Sequence, residues 1–180
     1  MRSSGAVRLF AVLLVAAGCA SIAQADDLDI GREEQLKAAY LFNFAKFIEW
    51  PANAKGPIRA CFIGAPGVYA SLTESVAGKK IGTRSILTSV LQAGDSWSGC
   101  DVIYIGAASD TSVPLHDLAG AALTVSDGYG FTHHGGIIRL FKHDNRLRFD
   151  INLDNARRAG LKISSNLLKL ASRVEQESAP

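Results

Sequence analysis

Three short apolar segments, each followed by glycine or aspartate, constrain the fold of this 180-residue chain more than any other feature. The three segments are Ile58–Ile63 before Gly64, 102–105 before Gly106, and 123–125 before Asp127. Short runs that are apolar almost throughout are typical of strands buried on both faces of a parallel sheet. A helical pattern that begins at Pro66 and ends at Gly78 separates the first two segments, which predicts alternating strand and helix.

The remaining pattern extends this α/β prediction. We predict a strand over 84–92, a short helix over 114–118, strands over 137–142 and 147–153 joined by a turn at 143–146, a short helix from Asp154 to Gly160, and a last helix that begins at Ser164 or Ser165 and reaches Val174. The fold class predicted is a single compact α/β domain. Its mixed, mostly parallel sheet carries helices on both faces and a C-terminal antiparallel strand pair.

The amino terminus resembles an export signal. Arg2 and Arg8 precede an apolar stretch over 9–17, and a small-residue cleavage site ends at Ala25. This pattern predicts a signal peptide over 1–25, a mature domain over 26–180 and export of the mature protein. A second interpretation stays open, because residues 16–19 loosely match a lipoprotein cleavage box in which Cys19 would be lipidated.

The charge balance argues against a nucleic-acid partner. The chain has 19 Lys and Arg against 17 Asp and Glu. Because Arg2 and Arg8 belong to the predicted signal peptide, the mature domain has no net charge. A neutral domain has no electrostatic attraction to DNA, RNA or acidic membranes.

Two cysteines remain in the predicted mature domain, Cys61 and Cys100. An even number of cysteines in an oxidising compartment favours a disulfide, although two separate buried thiols remain the alternative. Strand alignment argues against easy pairing. If the strands before Gly64 and Gly106 are aligned at their ends, Cys61 lies opposite Ile103, and Cys100 would then be roughly 10 Å away along the strand. A bond would therefore require a shifted register or different strand ends.

The strand ends suggest one candidate ligand site. Gly64, Gly106 and Asp127 are expected at one edge of the sheet, where open α/β folds bind ligands. The segment 64–67 could offer backbone N–H groups to an anion, although it lacks a phosphate-loop motif. Nothing predicts catalysis, a cofactor or a metal, since His133 and His134 lie in a glycine-rich loop without partners at ligand spacing.

A candidate partner-binding surface lies near the carboxyl terminus. Leu161 and Ile163 fall between two predicted helices and would form an apolar patch if they were exposed beside Phe149, with Arg157 and Arg158 at its rim. If these apolar side chains were buried, they would instead complete the core. The sequence leaves both alternatives open.

Two long segments carry a family resemblance. The first, over 37–51, reads KAAYLFNFAKFIEWP and predicts an amphipathic helix that ends before Pro51. Its apolar stripe contains Leu36, Ala39, Tyr40, Phe44 and Phe47, and Leu41 and Ile48 widen it. The second, over 146–171, reads RLRFDINLDNARRAGLKISSNLLKLA, and Gly135-Gly136-Ile137-Ile138 is a third point of likeness. In these segments the chain resembles the YfiR-like family of periplasmic proteins.

The resemblance implies a function that the residues alone do not. It implies a periplasmic, non-enzymatic protein, often a homodimer, that binds and inhibits an inner-membrane diguanylate cyclase similar to YfiN. Inhibition lowers cyclic di-GMP signalling and biofilm formation, and an OmpA-type outer-membrane lipoprotein similar to YfiB can sequester the inhibitor. The resemblance also implies a disulfide between Cys61 and Cys100. The alternative function is a periplasmic small-ligand-binding domain that serves another membrane receptor.

Overall fold

The computed structural model describes residues 21–51, 54–92, 95–109 and 122–176, with side chains described from Asp29 onward. The helices in these residues are α1 (Ser21–Phe47), α2 (Pro66–Val76), α3 (Leu153–Arg158) and α4 (Ser165–Leu168). The strands are β1 (Ile48–Glu49), β2 (Ile58–Ile63), β3 (Lys80–Ile81), β4 (Arg84–Val90), β5 (Val102–Ile105), β6 (Leu123–Ser126), β7 (Ile138–His143), β8 (Arg146–Asn152), β9 (Lys162–Ile163) and β10 (Arg173–Glu175). The predicted helix over 114–118 and most of the predicted signal peptide, including Cys19, lie outside the described residues.

The main sheet confirms the predicted α/β class. Its strand order is β10-β8-β7-β6-β5-β2-β4-β3, and β4, β2, β5, β6 and β7 run parallel to one another. The pair β7 and β8 is antiparallel, as predicted. The chain passes from β2 outward to β4 and then returns to β5 on the other side of β2. This is the doubly wound order in which the direction of winding reverses between β2 and β5.

Helix α1 is long and amphipathic, and its buried face coincides in part with the predicted stripe. Leu41, Phe44 and Ile48 at the start of β1 are buried as predicted, together with Ala38 and Ala45. Leu36 of the predicted stripe is 46% exposed, and Ala39 is also exposed. The position of the helix on the sheet selects one side of the wide predicted stripe. Among the described residues, no helix is long and apolar enough to cross a membrane.

Aromatic rings join α1 to the sheet. The rings of Phe44 and Phe149 lie 5.0 Å apart, and Tyr40 lies 5.7 Å from Phe44 and 5.9 Å from Phe149, all with edge-to-face geometry. This geometry adds to the free energy gained by burying the rings. The two segments that carry the family resemblance therefore meet in the core, since Tyr40 and Phe44 belong to the first and Phe149 to the second.

The end of α1 and the predicted last helix are both replaced by strand pairing. Ile48 and Glu49 form β1 with Lys162 and Ile163 of β9, so α1 ends at Phe47 rather than just before Pro51. The predicted helix up to Val174 is wrong beyond Leu168, because Ser172 donates to the carbonyl of Phe149 and β10 joins the free edge of β8. Hydrogen bonds at that edge outweigh the local helical pattern.

The disulfide between Cys61 and Cys100 is present, with Cα atoms 6.0 Å apart. The strands are aligned at their ends, since Cys61 lies opposite Ile103, so neither a shifted register nor different strand ends explain the bond. The expected separation of roughly 10 Å was wrong because the chain before β5 is not extended. It turns at Gly99, where φ is +83°, and the Cys100 N–H donates to the carbonyl of Trp97. This turn brings Cys100 back beside Cys61.

Candidate functional site

The three predicted strand ends meet at one edge of the sheet. The register pairs Ile63 of β2 with Ile105 of β5, and Ile105 with Ser126 of β6. Gly64, Gly106 and Asp127 directly follow these three residues and therefore lie together at the carboxyl ends of neighbouring strands. The edge is also the point where the winding reverses, so the sequence located it correctly.

The loops after β2 and β5 close this edge rather than leave it open. The Gly106 N–H donates to the carbonyl of Ile63 over 2.9 Å, and the Ser109 hydroxyl donates to the same carbonyl over 3.2 Å. The Cα of buried Gly106 lies directly against the backbone carbonyl of Gly64. Any side chain at Gly106 would overlap with that carbonyl, so the described parts of the two loops, 64–65 and 106–109, pack closely against each other.

The close approach predicts a steric cost for Gly106→Ala. The added methyl group must push the Gly64 backbone away, and overpacking of this kind costs about 1–3 kcal/mol of unfolding free energy. Gly31→Ala is the matched control, because this helical glycine has no atom within 4 Å of the new methyl group. The control should raise stability by about 0.5–1 kcal/mol. Urea denaturation measures the unfolding free energy of both variants. If the two substitutions change it equally, the close packing of Gly106 against Gly64 is contradicted.

The carboxylate of Asp127 accepts hydrogen bonds from other residues of the chain. One carboxylate oxygen accepts the Ala107 N–H over 2.7 Å, and the other accepts the ammonium group of Lys37 over 2.6 Å. Lys37 also forms an ion pair with Glu33, one turn earlier on α1, at 2.8 Å. Burial alone would lower the pKa of Lys37, but the hydrogen bonds to Asp127 and Glu33 raise it above the ordinary value. The lysine ammonium therefore holds α1 against the loops after β5 and β6.

The start of α2 is occupied in a similar way. The carboxylate of Glu34 lies directly against the Cα of Gly67, in the first turn of α2. A helix amino terminus favours a negative charge because of its unpaired N–H groups and its dipole. The sequence indicated that residues 64–67 could receive an anion, and the structure places a carboxylate of α1 there.

A buried tyrosine completes this cluster. Tyr104 of β5 is 1% exposed, and among the described residues its hydroxyl oxygen has no hydrogen-bond partner. Burial raises the pKa of the Tyr104 phenol far above its ordinary value, and the nearby Asp127 carboxylate raises it further. The phenol is therefore protonated at physiological pH.

Sequence reasoning found the strand ends but missed the residues of α1 that fill them. Glu33, Glu34 and Lys37 occupy helix positions outside the predicted apolar stripe. A signal was present, because Lys37 precedes Leu41 by one turn and Phe44 by two and so shares their buried face. The polar residues at the amino-terminal end of that stripe reach the edge of the sheet.

The predicted partner-binding surface near the carboxyl terminus is partly buried. Phe149 is 4% exposed and Leu161 is 2% exposed, so both belong to the core and cannot themselves contact a partner. Ile163 is half-buried in β9, where it pairs with Ile48. Of the two alternatives left open by the sequence, completion of the core is the one that describes Phe149 and Leu161.

The arginines of this surface are exposed. Arg157 and Arg158 end α3, and we call them the α3 arginine pair. The guanidinium of Arg157 donates to Asp154 over 3.0 Å, and that of Arg158 donates to the side-chain oxygen of Asn155 over 2.8 Å. These bonds within the helix hold both guanidinium groups in defined positions on the surface.

The described histidines are not part of a group of metal-ligating side chains. His133 and His143 are exposed, and a ring nitrogen of His134 lies 2.9 Å from the Gly130 carbonyl oxygen. Across residues 29–51, 54–92, 95–109 and 122–176, no three His, Cys, Asp or Glu side chains are grouped so that they could hold a metal ion.

Fold and site together define a class. The chain forms a doubly wound α/β domain in which its own side chains fill the edge where such folds bind ligands, and charged groups remain on its outer surface. The chain belongs to the YfiR/HmsC-like family (DUF4154), whose family model matches residues 34–172. This family is regulatory, periplasmic and connected with cyclic di-GMP signalling, and that general class applies to this chain.

Proposed function

We propose that this protein is a periplasmic inhibitor of an inner-membrane diguanylate cyclase similar to YfiN, and that it acts by direct contact and not by catalysis. The observation that carries the proposal is the family match over residues 34–172, which includes both segments of the resemblance. Inhibition would lower cyclic di-GMP and biofilm formation. Export would depend on the predicted signal peptide over 1–25, with lipidation at Cys19 as the alternative.

The α3 arginine pair supports a contact surface in this proposal. Arg157 and Arg158 are exposed, charged and oriented by bonds within their own helix. Arginine is enriched at the centres of protein interfaces because its planar group forms paired hydrogen bonds with carboxylates. The partner surface would accordingly be acidic. We further propose a homodimer, and sequestration by an OmpA-type lipoprotein similar to YfiB.

The alternative, a small-ligand domain that uses Gly64, Gly106 and Asp127, has weaker support. Gly106 packs against Gly64, and Asp127 already accepts hydrogen bonds from Lys37 and Ala107. A ligand at this edge would have to displace these internal bonds. The geometry therefore favours a role in protein contact over this particular ligand site.

The proposal is tested by cyclic di-GMP levels in cells that lack the gene. Deletion should raise cyclic di-GMP when the neighbouring cyclase gene is intact, and should have no effect when the cyclase gene is deleted as well. A rise that persists without the cyclase, or no rise in either background, would contradict inhibition of this enzyme.

The contact surface is tested by charge reversal. In the complemented deletion strain, Arg157→Glu with Arg158→Glu should weaken binding to the cyclase at least about tenfold, because two favourable contacts become repulsive. Cyclic di-GMP should then rise toward the deletion level. The measurements are cyclic di-GMP in extracts and binding of the purified protein to the periplasmic part of the cyclase.

The matched control reverses the charge of two adjacent exposed lysines on another part of the surface. Lys79→Glu with Lys80→Glu makes the same change in net charge near β3, at the opposite edge of the sheet from β10. The control should leave cyclic di-GMP at the wild-type level. If both charge reversals raise cyclic di-GMP equally, the cause is the change in net charge, and the α3 arginine pair is not part of the interface.

A further inference from the structure

A cleft of about 460 Å³ lies at the strands β7, β8 and β10, away from the sheet edge described above. Small-molecule sites in proteins have volumes of about 300–1,000 Å³ and contain a few convergent polar groups. The residues of its wall that concern us are Tyr129, Arg139, Phe141, Arg148, Asp150 and Arg173.

Strand register places charged side chains of the cleft in one row. Arg139 of β7 lies opposite Asp150 of β8, which in turn lies opposite Arg173 of β10. The next row on the same face pairs Phe141 with Arg148. Leu140 and Phe149, which alternate with these residues along the strands, point into the core instead. Three arginines thus converge on a face that the core does not use.

Arg139 is held between two aromatic rings. Its guanidinium carbon lies 5.2 Å from the centre of the Tyr129 ring and 5.0 Å from that of Phe141. Stacking of this kind fixes a guanidinium group in one orientation. Tyr129 is 93% exposed, so its ring forms an outer wall of the cleft and presents apolar surface to solvent.

The hydrogen-bonding capacity of Arg139 is incompletely used. Its Nε atom is buried and has no hydrogen-bond partner among the described residues. Its nearest ion pair is loose, with 3.9 Å between a guanidinium nitrogen and a carboxylate oxygen of Asp150. The loose ion pair leaves the charge of Arg139 only partly balanced, and because its side chain is 22% exposed, the guanidinium group remains accessible to an oxyanion in the cleft.

The acidic residues of the cleft do not neutralise its arginines. Glu175 accepts hydrogen bonds from Thr132 and Asn152 and lies 3.6 Å from His133, all outside the arginine row. Asp150 stands between two arginines of the row, and burial raises the pKa of its carboxyl although Arg173 and Arg139 act in the opposite direction. The cleft therefore keeps an excess of positive charge.

We propose that this cleft binds a small organic anion, with a carboxylate or phosphate on Arg139, Arg148 and Arg173 and a planar apolar part against Tyr129. The three guanidinium groups supply directed donors, and the exposed ring supplies a stacking surface. A cleft of this size suits a small molecule. The inference stands on the cleft alone and does not require that the protein inhibits a cyclase.

The test uses phenyl phosphate and benzoate as probes, with benzamide as the uncharged counterpart of benzoate. NMR titration of the full mature protein should show that at least one anion binds at least tenfold more tightly than benzamide, with shifts centred on Tyr129 and His133. Preference between the two anions identifies phosphate or carboxylate as the head group. Equal affinity for benzoate and benzamide, with no binding of phenyl phosphate, would overturn the proposal.

Two variants and one control locate the binding. Arg139→Met should weaken binding of the preferred anion at least tenfold, and Tyr129→Ala should weaken it several-fold without loss of folding, since this side chain is 93% exposed. Arg59→Met, an exposed arginine of β2 three strands away from β7, should change nothing. Binding that survives both Arg139→Met and Tyr129→Ala would overturn the site, whichever result the cyclase experiments give.

Discussion

Replacement of Cys61 and Cys100 by alanine is expected to lower the free energy of unfolding by about 4 kcal/mol. The bond joins residues 39 positions apart and links the central strand β2 to the turn before β5. Without the bond, the unfolded chain gains the conformational entropy that closing this loop had removed, and the unfolded state becomes more favourable. A loss of about 4 kcal/mol is a large part of the stability of a domain of this size.

Urea denaturation of four samples isolates the covalent bond. The oxidised wild type should be more stable than the reduced wild type, and the double alanine variant should resemble the reduced wild type. Reductant should not change the stability of the variant. If oxidised and reduced wild type unfold at the same urea concentration, the bond does not stabilise the fold and the loop argument is wrong.

The surroundings of the bond favour the oxidised form in the folded protein. Cys61 is 3% exposed, and its sulfur accepts a weak hydrogen bond from the Ser89 hydroxyl at 3.6 Å. The turn at Gly99 fixes Cys100 beside it. Because the fold holds the two sulfurs together, loss of the bond should affect stability far more than the positions of β2 and β5.

The parallel core was predictable because its signals are local. The strands before Gly64, Gly106 and Asp127 end where glycine or aspartate follows an apolar run. The turn between β7 and β8 was also placed correctly, since Asp144 and Asn145 adopt φ values of 48° and 57° that these residue types tolerate.

Other elements depend on contacts between distant parts of the chain. Ile48 and Glu49 become a strand only because Lys162 and Ile163 lie beside them. The segment after Leu168 pairs with the edge of β8 although its sequence favours helix. Neither partner can be identified from local periodicity, so the prediction extended both helices too far.

The candidate sites show the same division. Convergence of Gly64, Gly106 and Asp127 follows from strand ends, which the sequence marks. Occupation of that edge by Glu34 and Lys37 depends on how α1 is rotated on the sheet, which the helix sequence does not fix. Similarly, whether Leu161 faces solvent or core depends on elements more than a hundred residues away.

The second large effect is expected at Lys37. Replacement of Lys37 by methionine should lower the free energy of unfolding by about 3–5 kcal/mol, the cost of removing one member of a largely buried ion pair. The side chain of Lys37 is 12% exposed and that of Asp127 is 20% exposed. Without the ammonium group, Asp127 and Glu33 lose the cation between them and repel each other.

The matched control lies on the same helix. Lys46→Met removes an exposed lysine whose ammonium group lies 5.7 Å from the centre of the Phe42 ring, and should change stability by less than about 0.5 kcal/mol. A double variant, Lys37→Met with Asp127→Asn, removes both charges of the pair and should be more stable than Lys37→Met alone. The single variant Asp127→Asn completes the comparison. If the double variant loses as much stability as Lys37→Met and Asp127→Asn lose together, the ion pair does not link α1 to the sheet edge.

The effect of Lys37 also has a defined pH dependence. Since the folded-state pKa of Lys37 is raised above the unfolded value near 10.5, its contribution is complete below that pH and is lost as the pH rises through the folded-state pKa. The difference in unfolding free energy between wild type and Lys37→Met should therefore be constant from neutral pH to about pH 10 and shrink only above it. A difference that shrinks between pH 6 and pH 9 would assign the stabilisation to another group, because neither Lys37 nor a carboxylate of ordinary pKa titrates in that range.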